Sequence, residues 1–297
     1  MMDLSPRRRY RDVQRVIVIV FFLNIAVALA KIILGHIARS AAISADGFHS
    51  LTDGLSNVIG FVAVWIARKP HDEDHPYGHG RFETLAGLAI GGTLLFVVYS
   101  VIMRIAGEIT HKNVPDVTPL ALGVMIGTLV VNVFVVHYER RAGVRLKSEF
   151  LVADAMHTLS DVYVTISVLV ALAGVKLFGW AWLDPLVAGV VAILILRAAV
   201  QILWHAAGVL TDRKALDAES VLRTAKSVPG VHRAHQVRSR GREGEIYVDL
   251  HVLVDDNMTV SEGHDLANRV EAAVKAAHEG VVEVMVHVEP LSHDHPA

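Results

Sequence analysis

A nine-residue phrase occurs twice in this chain, ADGFHSLTD at Ala45 to Asp53 and ADAMHTLSD at Ala153 to Asp161, each time inside a long apolar segment. Five positions are identical and two more exchange Ser for Thr, so His49 and Asp53 correspond to His157 and Asp161. Residues four apart share a helix face, so each copy presents an imidazole and a carboxylate together. Two such helices can close two imidazoles and two carboxylates around one ion. Charge inside an apolar span is costly, and its duplication points to a use.

Hydrophobic residues make up 53% of the chain and charged residues 20%, with a mean hydropathy of +0.45. The charges cluster between apolar runs, the pattern of a polytopic membrane protein with a soluble portion. There is no cysteine, which excludes disulfides and thiolate ligands and argues against Cu(I) sites and Cys-type zinc fingers. The 17 histidines are then the soft-to-borderline ligands available. The first apolar run lacks a small-residue cleavage site and reads as a retained helix. No HExxH, nucleotide-binding glycine loop or nucleophile elbow occurs, and GHGRFE is not a phosphate loop, so neither an enzyme nor an ATP-driven pump is supported. Neither nucleic acid nor nucleotide is expected as a partner.

A span needs about 20 mostly apolar residues, and six segments qualify: 13–35, 43–67, 85–108, 120–138, 151–178 and 186–206. Arg7, Arg8, Arg9, Arg11 and Arg15 are read as preceding the first; Arg68, Lys69 and Arg81 flank the loop after the second; Arg140, Arg141, Arg145 and Lys147 are expected to fill the loop after the fourth. The other connections carry few basic residues, Arg39, Lys112 and Lys176. The positive-inside rule therefore puts both termini in the cytoplasm of a multi-pass cell-membrane protein. The second and fifth spans then run in opposite directions, an inverted repeat of the kind that builds a central site. Each His/Asp pair lies about 6 to 10 residues, or roughly 9 to 15 Å, from its membrane surface. In a hydrocarbon core about 30 Å thick, the pairs meet near the midplane.

From about Thr211 the composition becomes that of a soluble domain. Ala218 to Val228 reads as a helix, Ala234 to Ser239 and Glu245 to Val254 as strands around the Gly241 to Gly244 turn, Val260 to His278 as a second helix and Val281 to Glu289 as a closing strand. The expected fold is thus a six-helix transmembrane bundle followed by an αββαβ α+β domain. The expected divisions are a basic N-terminus at 1–12, the bundle at 13–210, the cytoplasmic domain at 211–290 and a histidine-containing tail at 291–297.

Further ligand candidates follow. Asp46 and Asp154 precede the two histidines by three residues and are read as vestibule charges attracting cations, the alternative for Asp154 being a pair with Arg197 in the sixth span. In the loop KPHDEDHPYGHGRFE, Asp72, His75 and His79 are spaced to reach one ion, with His71, Asp74 and Glu83 nearby. In the soluble domain, His251, His264, His287 and Glu289 form a candidate site, since His287 and Glu289 share a strand face. His232, His235 and His278 look less convergent, and His293 and His295 read as a flexible accessory chelator. Gly87, Gly91, Gly123 and Gly127 form small-xxx-small pairs suited to close helix packing.

Taken together, the HxxxD pairs, the DxxHxxxHGRFE-type loop and the αββαβ tail resemble the cation diffusion facilitator family over nearly the full chain. The resemblance implies a homodimer of six-helix protomers with a metallochaperone-like cytoplasmic domain, exchanging a divalent cation for protons as a secondary antiporter. It implies a transport site at His49, Asp53, His157 and Asp161, a loop site at Asp72, His75 and His79, and a cytoplasmic site at His251, His264, His287 and Glu289. It also implies a charge interlock of Arg81 and Asp212 that holds the dimer. Histidine at both first positions resembles the zinc branch, so Zn(II) is expected as substrate and as a structural or regulatory ligand. Glu289 departs from the Asp of some relatives. The alternatives are an Fe(II), Co(II) or Cd(II) exporter, or a membrane metal sensor or scaffold that dimerises through its soluble domain.

Overall fold

The computed structural model describes residues 6–37, 41–111, 119–178 and 183–293. The side chains of Asp46, His49 and Asp53, and the tail histidines His293 and His295, lie outside what is described. The chain separates into two compact units, Met1–Ala206 and Ala207–Ala297.

The helices are α1 (Pro6–Ile37), α2 (Ala41–Ala67), α3 (Arg81–His111), α4 (Pro119–Leu146), α5 (Glu149–Phe178) and α6 (Leu183–Leu210). At 1.5 Å per residue they measure about 40 to 48 Å, longer than a hydrocarbon core of about 30 Å. Their ends therefore project past the apolar stretches. One expectation is corrected by this. Arg140, Arg141 and Arg145 are not in a loop, because α4 continues to Leu146 and only Lys147 and Ser148 separate it from α5. Arg, Glu and Leu are good helix formers, so the helix outlasts its apolar run. The sharp reversal places Lys147 in the left-handed region, at φ 51°.

Among the described residues, 8–34, 81–107, 122–146 and 185–210 are each long and apolar enough to cross a membrane. The other two helices, α2 and α5, carry the repeated polar phrase. Tyr10, Val13, Ile17 and Val20 of α1 pack with Val64 of α2, Ala86 and Ile90 of α3, Val135 and Ala142 of α4, and Phe150 and Leu151 of α5. A second cluster joins Leu94 and Val98 of α3 to Val191, Ile195 and Ala199 of α6. Phe22, Phe96, Val130, Ile193 and Trp204 are exposed on the outside of this unit, the distribution suited to lipid as the solvent.

Close helix approaches occur at particular glycines. A Cβ on Gly60 would lie 1.9 Å from the Phe150 ring, and one on Gly91 would lie 2.8 Å from Leu203. Gly87 also faces α5, through Ala153 and the Glu149 carbonyl. The packing expected at Gly123 and Gly127 is not found, since no described atom lies within 4 Å of a Cβ built on either.

A polar clasp closes the end of the bundle where α4 turns into α5. The Arg9 guanidinium donates to the Leu146 carbonyl at 2.6 Å, the Lys147 carbonyl at 2.5 Å and Glu83 Oε2 at 3.3 Å. Ser148 Oγ donates to Glu83 Oε1, and Thr84 Oγ1 donates to Glu149 Oε2 at 2.7 Å. Arg9 thereby neutralises the fully buried Glu83 and satisfies carbonyls that the end of α4 leaves without helical partners.

The second unit contains α7 (Ala218–Lys226), β1 (Arg233–Arg242), β2 (Glu245–Val254), α8 (Val260–Ala277) and β3 (Val281–Pro290), then a 3₁₀ turn at Leu291–His293. The sheet order is β1-β2-β3, with β1 antiparallel and β3 parallel to β2. Asp217 caps α7, and Thr259 with Glu262 forms a capping box on α8, satisfying N–H groups otherwise orphaned at the helix start. Val221 and Ala225 of α7 and Leu266, Val270 and Val274 of α8 pack on Val248, Leu250 and Val252. Alternation along β2 therefore sends Tyr247, Asp249 and His251 to the sheet face away from the helices.

Candidate metal centres

The loop between α2 and α3 folds around Asp72. Its Oδ1 accepts the backbone N–H of His75 at 2.8 Å and lies 3.2 Å from His75 Nδ1, while Oδ2 lies 3.4 Å from His79 Nε2. Gly78, at φ 82°, makes the turn that brings His79 back. The two imidazole centroids are 4.2 Å apart, and the His79 ring stacks on Phe82. His79 Nδ1 lies 3.1 Å from the Pro70 carbonyl, which accepts an N–H there and so leaves the Nε2 lone pair facing Asp72. The backbone N–H of His75 holds the Asp72 carboxyl below its ordinary range, with the adjoining imidazoles adding to the effect. One ligand atom from each of Asp72, His75 and His79 falls within 4.8 Å of the others, spacing compatible with one ion. His71 and Asp74 are exposed, and Glu83 belongs to the clasp.

In the second unit, β pairing sets His235 opposite His251 and His251 beside His287. The result is a histidine row across all three strands. Glu289 gathers it: Oε2 lies 3.0 Å from His235 Nε2, and Oε1 lies 2.8 Å from His251 Nδ1 and 3.5 Å from His287 Nε2. Burial pushes the Glu289 carboxyl up, but hydrogen bonding to His251 and His235 outweighs this and leaves it below the ordinary glutamate range. The carboxylate and the imidazole nitrogens that now pair with it are the atoms a divalent cation would take.

His264 does not join this row within the chain. It lies on α8, with Nε2 3.2 Å from Asn268 Nδ2, and α8 covers the opposite face of the sheet. His235 takes the place expected of it. The reason is a β-bulge. Counted outward from the turn that pairs Arg242 with Glu245, His235 would meet Val252 and face the core. A register shift between His235 and Arg238, with Gln236 at φ 50°, brings it opposite His251 instead.

In the membrane unit, His157 is buried and Asp161 half-buried on α5, and Ser160 Oγ donates to the His157 carbonyl at 2.6 Å. One turn earlier, Asp154 Oδ2 accepts Asn57 Nδ2 of α2 at 2.6 Å, and Asn57 Oδ1 accepts Asn24 Nδ2 of α1 at 3.0 Å. Asp154, expected as a vestibule charge, is 3% exposed and engaged by Asn57. The alternative of an Asp154–Arg197 pair is not found either: Arg197 is exposed and lines a cavity of about 130 Å³ between α5 and α6 with Ser160, Tyr163 and Gln201. Arg81 is exposed at the start of α3, while Asp212, at φ 55°, lies 3.9 Å from Arg240 within the second unit.

Comparison with known proteins accounts for both units. Residues 17–211 match the cation efflux transmembrane domain, and residues 214–291 match the cytoplasmic domain of cation efflux proteins. The chain is 34% identical to an uncharacterized transporter of Methanocaldococcus jannaschii over 94% of this chain and 99% of that protein. It is 32% identical to the manganese efflux system protein MneS of Bacillus subtilis over 88% of this chain and 90% of that one. It is 31% identical to the cation-efflux pump FieF of Salmonella agona over 90% and 89%. A helical membrane unit bearing a repeated His/Asp motif, an α/β unit bearing a histidine row and full-length matches of this kind lead to one conclusion: the chain belongs to the cation diffusion facilitator family, multi-pass transporters that carry divalent metals out and are not enzymes.

Proposed function

We propose that this protein exports Zn(II) from the cytoplasm in exchange for protons, by alternating access through a site of His49, Asp53, His157 and Asp161. The observation that carries the reading is the register of α2 against α5. Phe150 covers Gly60, and Asn57 donates to Asp154. Continuing this antiparallel register by one and two turns brings Asp53 level with His157 and His49 level with Asp161. Two imidazoles and two carboxylates suit tetrahedral Zn(II). The name of the Bacillus subtilis relative concerns manganese, but two nitrogen ligands favour Zn(II) over that harder ion. Cd(II), Co(II) and Fe(II) fit the same donor set less selectively.

Neutral imidazole and ionised carboxylate are required to bind metal, so protons compete for the same atoms and an inward proton gradient strips the ion on the outer side. The loop cluster and the histidine row are auxiliary metal sites in this reading. The protein works as a homodimer in the cytoplasmic membrane with both termini inside, 1–12 a basic arm, 13–210 the bundle, 211–290 the cytoplasmic domain and 291–297 a tail. Arg81 and Asp212 interlock charges in that dimer. Asp46 is a vestibule charge on the outer side.

Metal-loaded proteoliposomes under a pH gradient test the proposal. The unmodified protein should move zinc, and Asp53→Ala and Asp161→Ala should not. If the unmodified protein moves no divalent ion while its histidine row still binds zinc, the chain is a metal sensor or scaffold instead.

A further inference from the structure

Glu139 of α4 has no place in any of these metal centres. Its side chain is fully buried, and neither carboxylate oxygen receives a hydrogen bond from the described N–H and O–H groups. It lies against the carboxyl of Asp154 on α5, itself buried. A buried carboxylate without a donor is costly, and two side by side add repulsion to lost hydration. A proton between them removes both penalties.

The surrounding network says which carboxyl carries it. Asn24 Nδ2 donates to Asn57 Oδ1, which turns the Asn57 amide nitrogen toward Asp154 Oδ2. Asp154 Oδ2 is therefore an acceptor, and a proton on Glu139 would supply the donor that the carboxyl pair lacks. Asp154 is the titratable group facing Glu139 from α5. α1 also packs on α4; its Tyr10 and Gln14 are buried, and its Arg9, near the end of α4, is engaged by Glu83 and the Leu146 and Lys147 carbonyls. On α4 itself, His137, Arg140 and Arg141 are exposed.

We propose that Glu139 and Asp154 form a proton-binding site in the membrane unit, one proton shared between two carboxyls at net charge −1, separate from the metal quartet. Asp154 lies three residues, about 4.5 Å along the helix, from His157. A divalent cation at the quartet opposes the positive charge of that proton and favours its release. This second role rests on the proposed metal–proton exchange; the shared proton does not.

Infrared spectroscopy of the full chain in lipid vesicles tests the site. At neutral pH the unmodified protein should show the carbonyl stretch of a buried protonated carboxyl. That band should disappear in Glu139→Gln, and in Asp154→Asn it should persist at a shifted frequency, because its hydrogen-bond acceptor has changed. Absence of the band in the unmodified protein overturns the proposal whether or not the variants fold, and so does its persistence unchanged in a folded Glu139→Gln. Zinc-induced proton release by the detergent-solubilised protein reads the linkage, and should fall by about one proton in Glu139→Gln. Equal release overturns the linkage; the absence of any release in the unmodified protein counts instead against metal–proton exchange and leaves the infrared result standing.

Discussion

Removing Arg9 gives the sharpest test of how the bundle is held together. The guanidinium reaches three acceptors on two elements other than its own: Glu83 on α3 and the Leu146 and Lys147 carbonyls where α4 ends. Its side chain is 17% exposed and that of Glu83 is 0% exposed, so little water can replace the charge. Breaking a buried pair by deleting one partner costs about 3 to 5 kcal/mol, and the partial exposure of Arg9 puts the expectation for Arg9→Met near the lower end, about 3 kcal/mol. For a unit of this size that corresponds to a fall in Tm of about 6 to 12 °C. Glu83→Gln keeps the carbonyl contacts of Arg9 and removes the buried charge, so the double variant should recover about 2 kcal/mol relative to the sum of the singles. Thermal unfolding of the four purified proteins in detergent completes the cycle. Additive losses, or an Arg9→Met protein as stable as the unmodified one, would refute the idea that a buried charge is being neutralised.

Other consequences are equally direct. His235→Ala should weaken zinc binding at the second unit by about 10- to 100-fold while His264→Ala leaves that affinity unchanged, as read by titration calorimetry on a chain lacking the quartet. Gly60→Ala drives a methyl group into the Phe150 ring and should destabilise the bundle by about 1 to 3 kcal/mol, with Phe150→Leu restoring part of the loss in thermal unfolding. Thr259→Ala should cost about 1 kcal/mol in the local stability of α8, measured by hydrogen exchange of its first-turn amides. Hydrogen bonds from the Thr259 backbone N–H and hydroxyl hold the Glu262 carboxyl below its ordinary value. A depressed carboxyl stabilises the fold fully above its unfolded value and loses that effect as pH falls through the folded one, so the protection of those same amides, relative to their intrinsic exchange rate at each pH, should fall in acid.

Much of the architecture could be read from residue order because lipid and water impose strong patterns. Apolar length found the membrane helices, and strand alternation with turn residues found the αββαβ order. The loop cluster was also legible, since Asp72, His75 and His79 are close in sequence and a Pro/Gly-shaped turn suffices to gather them. Helix ends were less so: Arg140 to Arg145 look like a loop, yet intrinsic propensity carries α4 through them. His235 was missed because a single inserted residue decides which face of β1 it occupies, and a bulge leaves little trace in composition beyond the Gln236 that adopts it. His264 stands apart from the row within one chain, because a histidine close in sequence to a sheet site can belong to the helix on its far side. In the Glu139–Asp154 pair, Asp154 belongs to the repeated phrase but Glu139 belongs to no motif. Glu139 sits beside Arg140 and Arg141 and looks like one more surface charge until α5 is packed against it.

The two-residue turn between α4 and α5 has a mechanical consequence. Held by Arg9, Glu83 and Ser148, it is a fulcrum. His157 stands eight residues from the start of α5, about 12 Å along the axis, whereas Phe178 stands about 43 Å away. A pivot of about 10° at the turn moves the first by roughly 2 Å and the second by roughly 7 Å. The swing that opens a mouth at the far end of the lever therefore shifts the proposed α5 ligands by about one metal–nitrogen bond length, roughly 2 Å, enough to loosen an ion as the mouth opens.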